Sequence, residues 1–196
     1  MSTGKRLSQA KRIVVKIGSS SITGANEKNL DLIIDFVAQQ ISQDKEVIVV
    51  SSGAIATAAP LIGLAVKSED LATSQALASI GQARLMGRYE RSLARHELIP
   101  GQILLTVDNL DEEQPRANAS RALERLLEIG VVPIINENDS VATQEIRFGD
   151  NDRLASRVAL LAKADLLILL SDVDSLYTRP PQEEGAVRIS TVTQED

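Results

Sequence analysis

Asn136 to Asp152 reads NENDSVATQEIRFGDND, between two stretches of opposite character. Before it stands the apolar run Val131-Val132-Pro133-Ile134-Ile135; after it comes a run of helix formers, Arg153 to Ala162. A strand that ends in polar residues and hands over to a helix is the repeating unit of an α/β domain. The quoted stretch holds two carboxamide and carboxylate clusters, Asn136-Glu137-Asn138-Asp139 and Asp150-Asn151-Asp152. Between them, Val141-Ala142-Thr143 and Glu145-Ile146-Arg147-Phe148 are expected to fold back as a small hairpin, with Gly149 freeing the backbone at its base. Such a fold-back would bring the clusters together. Short acceptor side chains concentrated in this way suit a ligand with an amino group, or a hydrated cation. The competing reading is that they form turns and a helix N-cap.

Four more apolar runs share the pattern: Ile13-Val14-Val15, Val47 to Val50, Ile103-Leu104-Leu105 and Leu166 to Leu170. All five are continuous rather than alternating, which predicts parallel strands buried on both faces. Helices are predicted between them. Asn29 to Gln43 joins the first pair, and Leu71 to His96 precedes the third run, with Leu85, Met86, Tyr89 and Leu93 within one ~100° arc. Pro115 to Ile129 presents Ala119, Ala122, Leu123, Leu126 and Leu127 on one face, and Gly130 fits its C-terminal stop. Asp152 to Ala162 precedes the fifth run. The alternation implies an α/β domain with right-handed crossovers, without internal repeat or second domain. From Arg179 the tail reads as a loop, with Val187-Arg188-Ile189 as one more short strand.

Ligands of open α/β sheets bind outside the carboxyl ends of the strands. Here those ends are polar, small or glycine-bearing: Lys16-Ile17-Gly18-Ser19-Ser20, Ser51-Ser52-Gly53-Ala54, Thr106-Val107-Asp108-Asn109, Asn136 to Asp139 and Ser171-Asp172-Val173-Asp174. Gly18-Ser19-Ser20-Ser21 is a candidate phosphate cradle, since small residues let backbone N–H groups approach an anion. It is neither a Walker A loop nor G-x-G-x-x-G. Lys16 closes an apolar strand, where a buried cation needs an anionic partner unless it snorkels to water. The amides of Ser51-Ser52-Gly53-Ala54 are candidates to receive a carboxylate or phosphate. No G-x-S-x-G elbow occurs, and no His is placed for a serine triad. His96 is expected at a helix end, capping or in solvent. Arg84, Arg88, Arg91 and Arg95 read as a solvated helix face paired with Glu90 and Glu97, or as an oligomer contact. Asp172-Val173-Asp174 also fits the Asp-x-Asp of aspartyl phosphatases, but that chemistry needs a lysine and further carboxylates well downstream, and only 22 residues follow Asp174.

The 196 residues suffice for one domain or a little more, with 43% apolar and 24% charged residues. Lys+Arg 21 against Asp+Glu 27 gives −6, which disfavours non-specific nucleic-acid binding. Without cysteine there is no disulfide, thiolate catalysis or cysteine zinc site, and one His cannot build a multi-His metal site. No apolar run nears the ~20 residues of a membrane span, and Met1 to Lys11 lacks a signal-peptide core, so a soluble cytoplasmic protein without membrane contact is expected.

Assembled, these motifs resemble the glutamate 5-kinases of the amino-acid kinase family. The resemblance runs from about Arg12 to Thr178 through VVKIGSSSIT, VIVVSSGAIA, ASIGQARLM, GQILLT, VVPIINENDSV, FGDNDRLAS and LLILLSDVDSLYT. It implies a three-layer α/β/α sandwich with a central, mainly parallel sheet. The implied reaction moves the ATP γ-phosphoryl group, with Mg²⁺, to the side-chain carboxylate of L-glutamate, the first step of proline biosynthesis. Proline is the implied feedback inhibitor and a homo-oligomer the implied assembly. By position, Lys16 resembles the family's phosphate-binding lysine and Asp152 the carboxylate that orients lysines. Ser52, Asp139 and Asn151 resemble glutamate-binding residues, with Gly53 and Asn136 beside them, and Gly18, Ser171 and Asp172 resemble part of the ATP site. Asp139 would take the glutamate ammonium and the Ser52-Gly53 amides a carboxylate. The family's Gly-Gly-Met-x-Thr-Lys segment has no counterpart before Asp196, nor has the PUA-like C-terminal domain of some members. Residues 1–196 are therefore expected to be an incomplete kinase domain, the glutamate-binding half plus the start of the ATP-binding half. Weak or no activity and exposed apolar surface would follow. The alternative is a module that binds glutamate or proline without turnover.

Overall fold

The computed structural model describes residues 7–64, 70–141 and 150–192. The apolar runs become strands β1 (Arg12–Ile17), β2 (Glu46–Ser51), β3 (Ile99–Leu105), β4 (Val131–Glu137) and β5 (Leu166–Leu170). They form one sheet in the order β3-β4-β2-β1-β5, with every neighbouring pair parallel. A short antiparallel pair follows, β6 (Leu176–Tyr177) with β7 (Arg188–Ile189), so the strand expected near Val187 is present.

The helices are α1 (Ser19–Ile22), α2 (Asn29–Ile41), α3 (Ala54–Ala58), α4 (Leu71–Ala94), α5 (Val107–Asp111), α6 (Glu113–Glu128) and α7 (Asp150–Leu161). Helix α4 begins where the Asp70 carboxylate accepts from the Ala72 and Thr73 N–H groups. Helix α6 starts ahead of Pro115, which is tolerated in a first turn because its missing N–H would have no intrahelical acceptor there. It ends before Gly130, whose φ of 75° is the left-handed stop read from the sequence.

Alternation along the inner strands divides the core into two layers. Ile13, Val15 and Ile17 of β1 pack with Leu30, Ile34 and Val37 of α2 and with Leu85, Tyr89 and Leu93 of α4. Val14 faces the other way, toward Leu123 of α6 and Leu154, Ala155 and Val158 of α7. The result is the expected three-layer α/β/α arrangement. Each fully buried Ile or Val in it contributes roughly 1.5–3 kcal/mol.

Burial on both faces holds for β1, β2 and β4 but not for the edges. In β3 only Leu105 is fully buried, and no residue of β5 is. An edge strand lacks a neighbour on one side, so its flanking helix layers stop short of it; Leu169 is half-exposed for that reason. At the opposite end of the sheet from the polar turns, the Asp165 carboxylate accepts from the Lys11 and Arg12 N–H groups at 2.8 and 2.9 Å. The Arg12 guanidinium reaches Glu46 and Glu124, both at 2.6 Å, clamping β1 to β2 and α6. Among the described residues no helix is long and apolar enough to cross a membrane.

Candidate active site

Strand β1 is an interior strand of the sheet, with β2 on one side and the edge strand β5 on the other. Its carboxyl end and those of β2 and β4 converge with the first turn of α7. Lys16, 7% exposed, sends its ammonium to Asp152 Oδ1 at 2.6 Å, which supplies the anionic partner its burial requires. Gly18 lies directly beneath that ammonium. A Cβ placed on Gly18 would stand 3.6 Å from Lys16 Nζ and 3.4 Å from Leu170 O. Gly18 has ordinary extended dihedrals, so its value is the open space next to a fixed cation rather than conformational freedom.

A second polar group forms beside it. Asn151 Nδ2 donates to Ser52 Oγ at 2.8 Å and, more weakly, to Asn136 Oδ1 at 3.4 Å. Asn136, 3% exposed, also accepts from the Glu137 N–H at 2.9 Å. The two clusters of the quoted stretch are thus brought together through Asn136 and Asn151. Val141 belongs to the 3-10 turn Asp139–Val141; the rest of the expected hairpin, with Gly149, lies outside the described residues. Asp139 opens that turn, which the Asn138 N–H ties to Leu105 O at 2.8 Å.

Asn151 Oδ1 is buried and has no hydrogen-bond donor among the described residues. A buried acceptor without a donor costs on the order of 1–3 kcal/mol, so it marks where a ligand N–H would be gained.

The Ser52-Gly53 turn corrects one expectation. The Ser52 N–H is spent on Ile17 O at 3.0 Å, so it is not available to a ligand carboxylate. Gly53 takes φ 102°, a left-handed backbone that favours glycine, while the space around it would admit a Cβ at ordinary contact distance from Thr23 Cγ2 and Ser19 Cα. Ser171 and Asp172 stand after β5, where Ser171 Oγ donates to Asp172 Oδ1 at 3.2 Å and accepts from the Val173 N–H at 3.3 Å. That is a turn closed on itself, next to the Gly18 N–H, which donates to Leu170 O at 3.2 Å.

The arginines of α4 do not pair with Glu90 and Glu97. Arg88 caps Ile22 O and Glu27 O at 2.7 and 2.9 Å, and Arg95 binds Asp35 at 2.8 Å, because both carboxylates and carbonyls belong to elements packed alongside. His96, expected to cap or face solvent, lies 2.8 Å from Asp35 Oδ1. A cavity of about 600 Å³ adjoins α4, lined by Thr57, Leu61, Ile80, Arg84, Arg88 and Arg91. It touches none of the Lys16, Ser52, Asn136 or Asn151 group.

Three supporting residues escaped the sequence reading. Tyr89 donates to Ser51 Oγ at 2.8 Å inside the core, and Ser51 donates on to Ser52 O at 3.1 Å. Burial pushes the Tyr89 phenol well above its ordinary range, so it stays a neutral donor. Gln82 donates to Glu137 O at 3.3 Å. Helical spacing places Tyr89 on an apolar arc, and a buried tyrosine there must find a partner for its hydroxyl, which is the sequence signal for this contact.

Comparison with known proteins places the chain in a family. Residues 11–196 match the amino acid kinase family. A glutamate 5-kinase of Leifsonia xyli subsp. xyli is 54% identical over 187 residues, covering 95% of this chain and 69% of that protein. A second, of Clavibacter michiganensis subsp. michiganensis, is 54% identical over 98% of this chain and 75% of its own length. Against the glutamate 5-kinase of Streptomyces coelicolor the identity is 50%, and the chain spans 50% of that protein. The solved structure of T. acidophilum isopentenyl phosphate kinase superposes with TM-score 0.58 at 18% identity, over 90% of this chain and 77% of that one, which speaks to the fold alone. The strand order, the lysine-and-glycine strand end and these relatives together make the chain a member of the amino acid kinase family, on the branch of the glutamate 5-kinases.

Proposed function

We propose that the chain carries the acceptor site of an ATP-dependent kinase whose substrate is the γ-carboxylate of L-glutamate, with γ-glutamyl phosphate as product. The observation that carries this reading is Asn151. Its amide joins Ser52 and Asn136 while its buried Oδ1 lacks a donor among the described residues, which an amino-acid ammonium would supply. Asp139, in the turn after β4, is the counter-charge we assign to the same ammonium. Lys16 lies one residue from that group through the Asn151-Asp152 pair, so amino acid and transferring phosphoryl would meet across α7's first turn.

In the reaction a carboxylate oxygen attacks the γ-phosphorus, the bond to the β,γ-bridging oxygen breaks, and ADP leaves with that electron pair. The nucleophile is already anionic, so no base is needed; positioning and charge neutralisation are what the protein supplies. Lys16 would neutralise charge on the transferring oxygens, Asp152 would hold Lys16, and Gly18 would leave room for them. Ser171 and Asp172 are assigned to the nucleotide edge. Mg²⁺ would shield the nucleotide phosphates. Among the described residues no group of three or more His, Cys, Asp or Glu could hold a metal. Proline as inhibitor and a homo-oligomeric state belong to the same proposal, as does the reading of 1–196 as part of one kinase domain.

Calorimetry of the chain with L-glutamate and separately with ATP, alongside a hydroxamate assay for acyl phosphate, tests this. Glutamate binding with ATP-dependent acyl phosphate is the expected result. Glutamate binding without turnover would leave a binding module, and binding of neither ligand would remove the reading.

A further inference from the structure

Helix α4 reaches the candidate site at three points without touching any ligand position. At Gly81 it is in backbone contact with the turn after β2: a Cβ there would sit 1.8 Å from Ala54 O. At Gln82 it donates to Glu137 O at the end of β4. At Tyr89 it donates to Ser51 Oγ at the end of β2. The same helix therefore braces both strands that present Ser52 and Asn136.

We propose that Tyr89 and Ser51 are positioning residues of the amino-acid pocket, acting through Ser52. This rests on the function proposed above. Tyr89 and Ser51 are both completely buried, and Tyr89 packs among Leu85, Leu93 and Ile17. Packing alone would be served by phenylalanine and alanine, since a buried hydroxyl pair replaced on both sides by apolar groups is nearly neutral for stability. What the hydroxyls add is a direction. The Ser51 hydroxyl accepts from Tyr89 and spends its own proton on Ser52 O at 3.1 Å, while Ile17 O takes the Ser52 N–H at 3.0 Å. Both peptide planes flanking Ser52 are thereby held, which fixes its two soft dihedrals and the direction of its Cβ. Ser52 Oγ stays aimed at Asn151 Nδ2, 2.8 Å away, and Asn151 in turn keeps Oδ1 turned from Asn136. Remove the Tyr89 hydroxyl and the chain loses the bond that holds Ser51 in this rotamer.

The test compares wild-type enzyme with Tyr89→Phe, Ser51→Ala and the double variant. Expected is a rise in the glutamate KM of about fivefold to tenfold for each single variant, the worth of one buried hydrogen bond. Turnover and the ATP KM should stay within about twofold. The double variant should be no worse than the poorer single one, because both break one chain. Additive losses, a fall in turnover at unchanged glutamate KM, or unaltered kinetics would each overturn the proposal. So would loss of folding in both single variants by circular dichroism, which would assign the pair to the core. If the wild type itself neither binds nor phosphorylates glutamate, the functional reading fails and this inference falls with it; a glutamate-active wild type matched by its variants sinks the inference alone.

Discussion

The ammonium of Lys16 and the carboxylate of Asp152 meet at 2.6 Å and tie the interior strand β1 to the first turn of α7. Their burial is unequal: the Lys16 side chain is 9% exposed and that of Asp152 51%. The cation is fixed from below by the sheet while its partner faces water.

Lys16→Ala should therefore fold, because the Asp152 left behind is solvated, yet lose at least the ~10²-fold in turnover typical of removing one preorganised charge-stabilising group. The glutamate KM should move much less. Steady-state kinetics on the active enzyme decide it; an unchanged rate removes Lys16 from the mechanism.

Asp139→Asn deletes the proposed counter-charge to the substrate ammonium and should chiefly raise the glutamate KM, on the order of tenfold or more. Glutamate and ATP titrations at fixed second substrate separate the effects. A change confined to ATP would reassign Asp139.

Gly81→Ala puts a methyl group 1.8 Å from Ala54 O, a backbone atom that cannot swing aside. Destabilisation of about 3 kcal/mol or more is expected, as for severe overpacking, read as a lowered urea midpoint with an unchanged m-value. An unaltered midpoint would show that α4 is not seated on the turn after β2 in solution.

Acid should unfold the protein partly through Asp165 and Asp35. The Arg12 and Lys11 N–H groups hold the Asp165 carboxyl below its usual range, and the hydrogen bond from His96, with Arg95, does the same for Asp35. A folded-state pKa below the unfolded one means the unfolded chain binds more protons near pH 4, so this stability is fully present above that range. It is lost as pH falls through the folded-state values. Asp165→Asn should flatten the decline of the unfolding midpoint below about pH 4 relative to wild type. Parallel curves for the two proteins would discount the contact.

The residues that most needed three dimensions were Tyr89, Arg88 and Ser52. Helical spacing placed Tyr89 on the buried arc of α4, and that is where it lies, but spacing along one helix carries nothing about which strand end its hydroxyl will meet. Arg88 reads as solvated next to Glu90 in sequence; its partners are carbonyls of the Ile22–Glu27 segment, brought alongside only by packing. Ser52 reads as a free amide at a strand end, whereas the neighbouring strand β1 ends on it and takes the N–H.

By itself the sequence determined the order of the five sheet strands and of the long helices between them, the buried faces of β1, β2 and β4, and the residues able to serve a polar site, but not the short helices α1 and α5 at the strand ends. Those follow from local physics: apolar periodicity, glycine at turns, and the cost of burying Lys16 without a counter-ion. Only the tertiary structure decided which strands became half-exposed edges, that Asp152 is the partner of Lys16, and that Asn151 has a buried acceptor with no donor among the described residues. The difference is one of range. Propensity and periodicity act between residues a few positions apart, while Lys16 and Asp152, or Ser51 and Tyr89, meet only after strand order has been settled by packing the sheet as a whole.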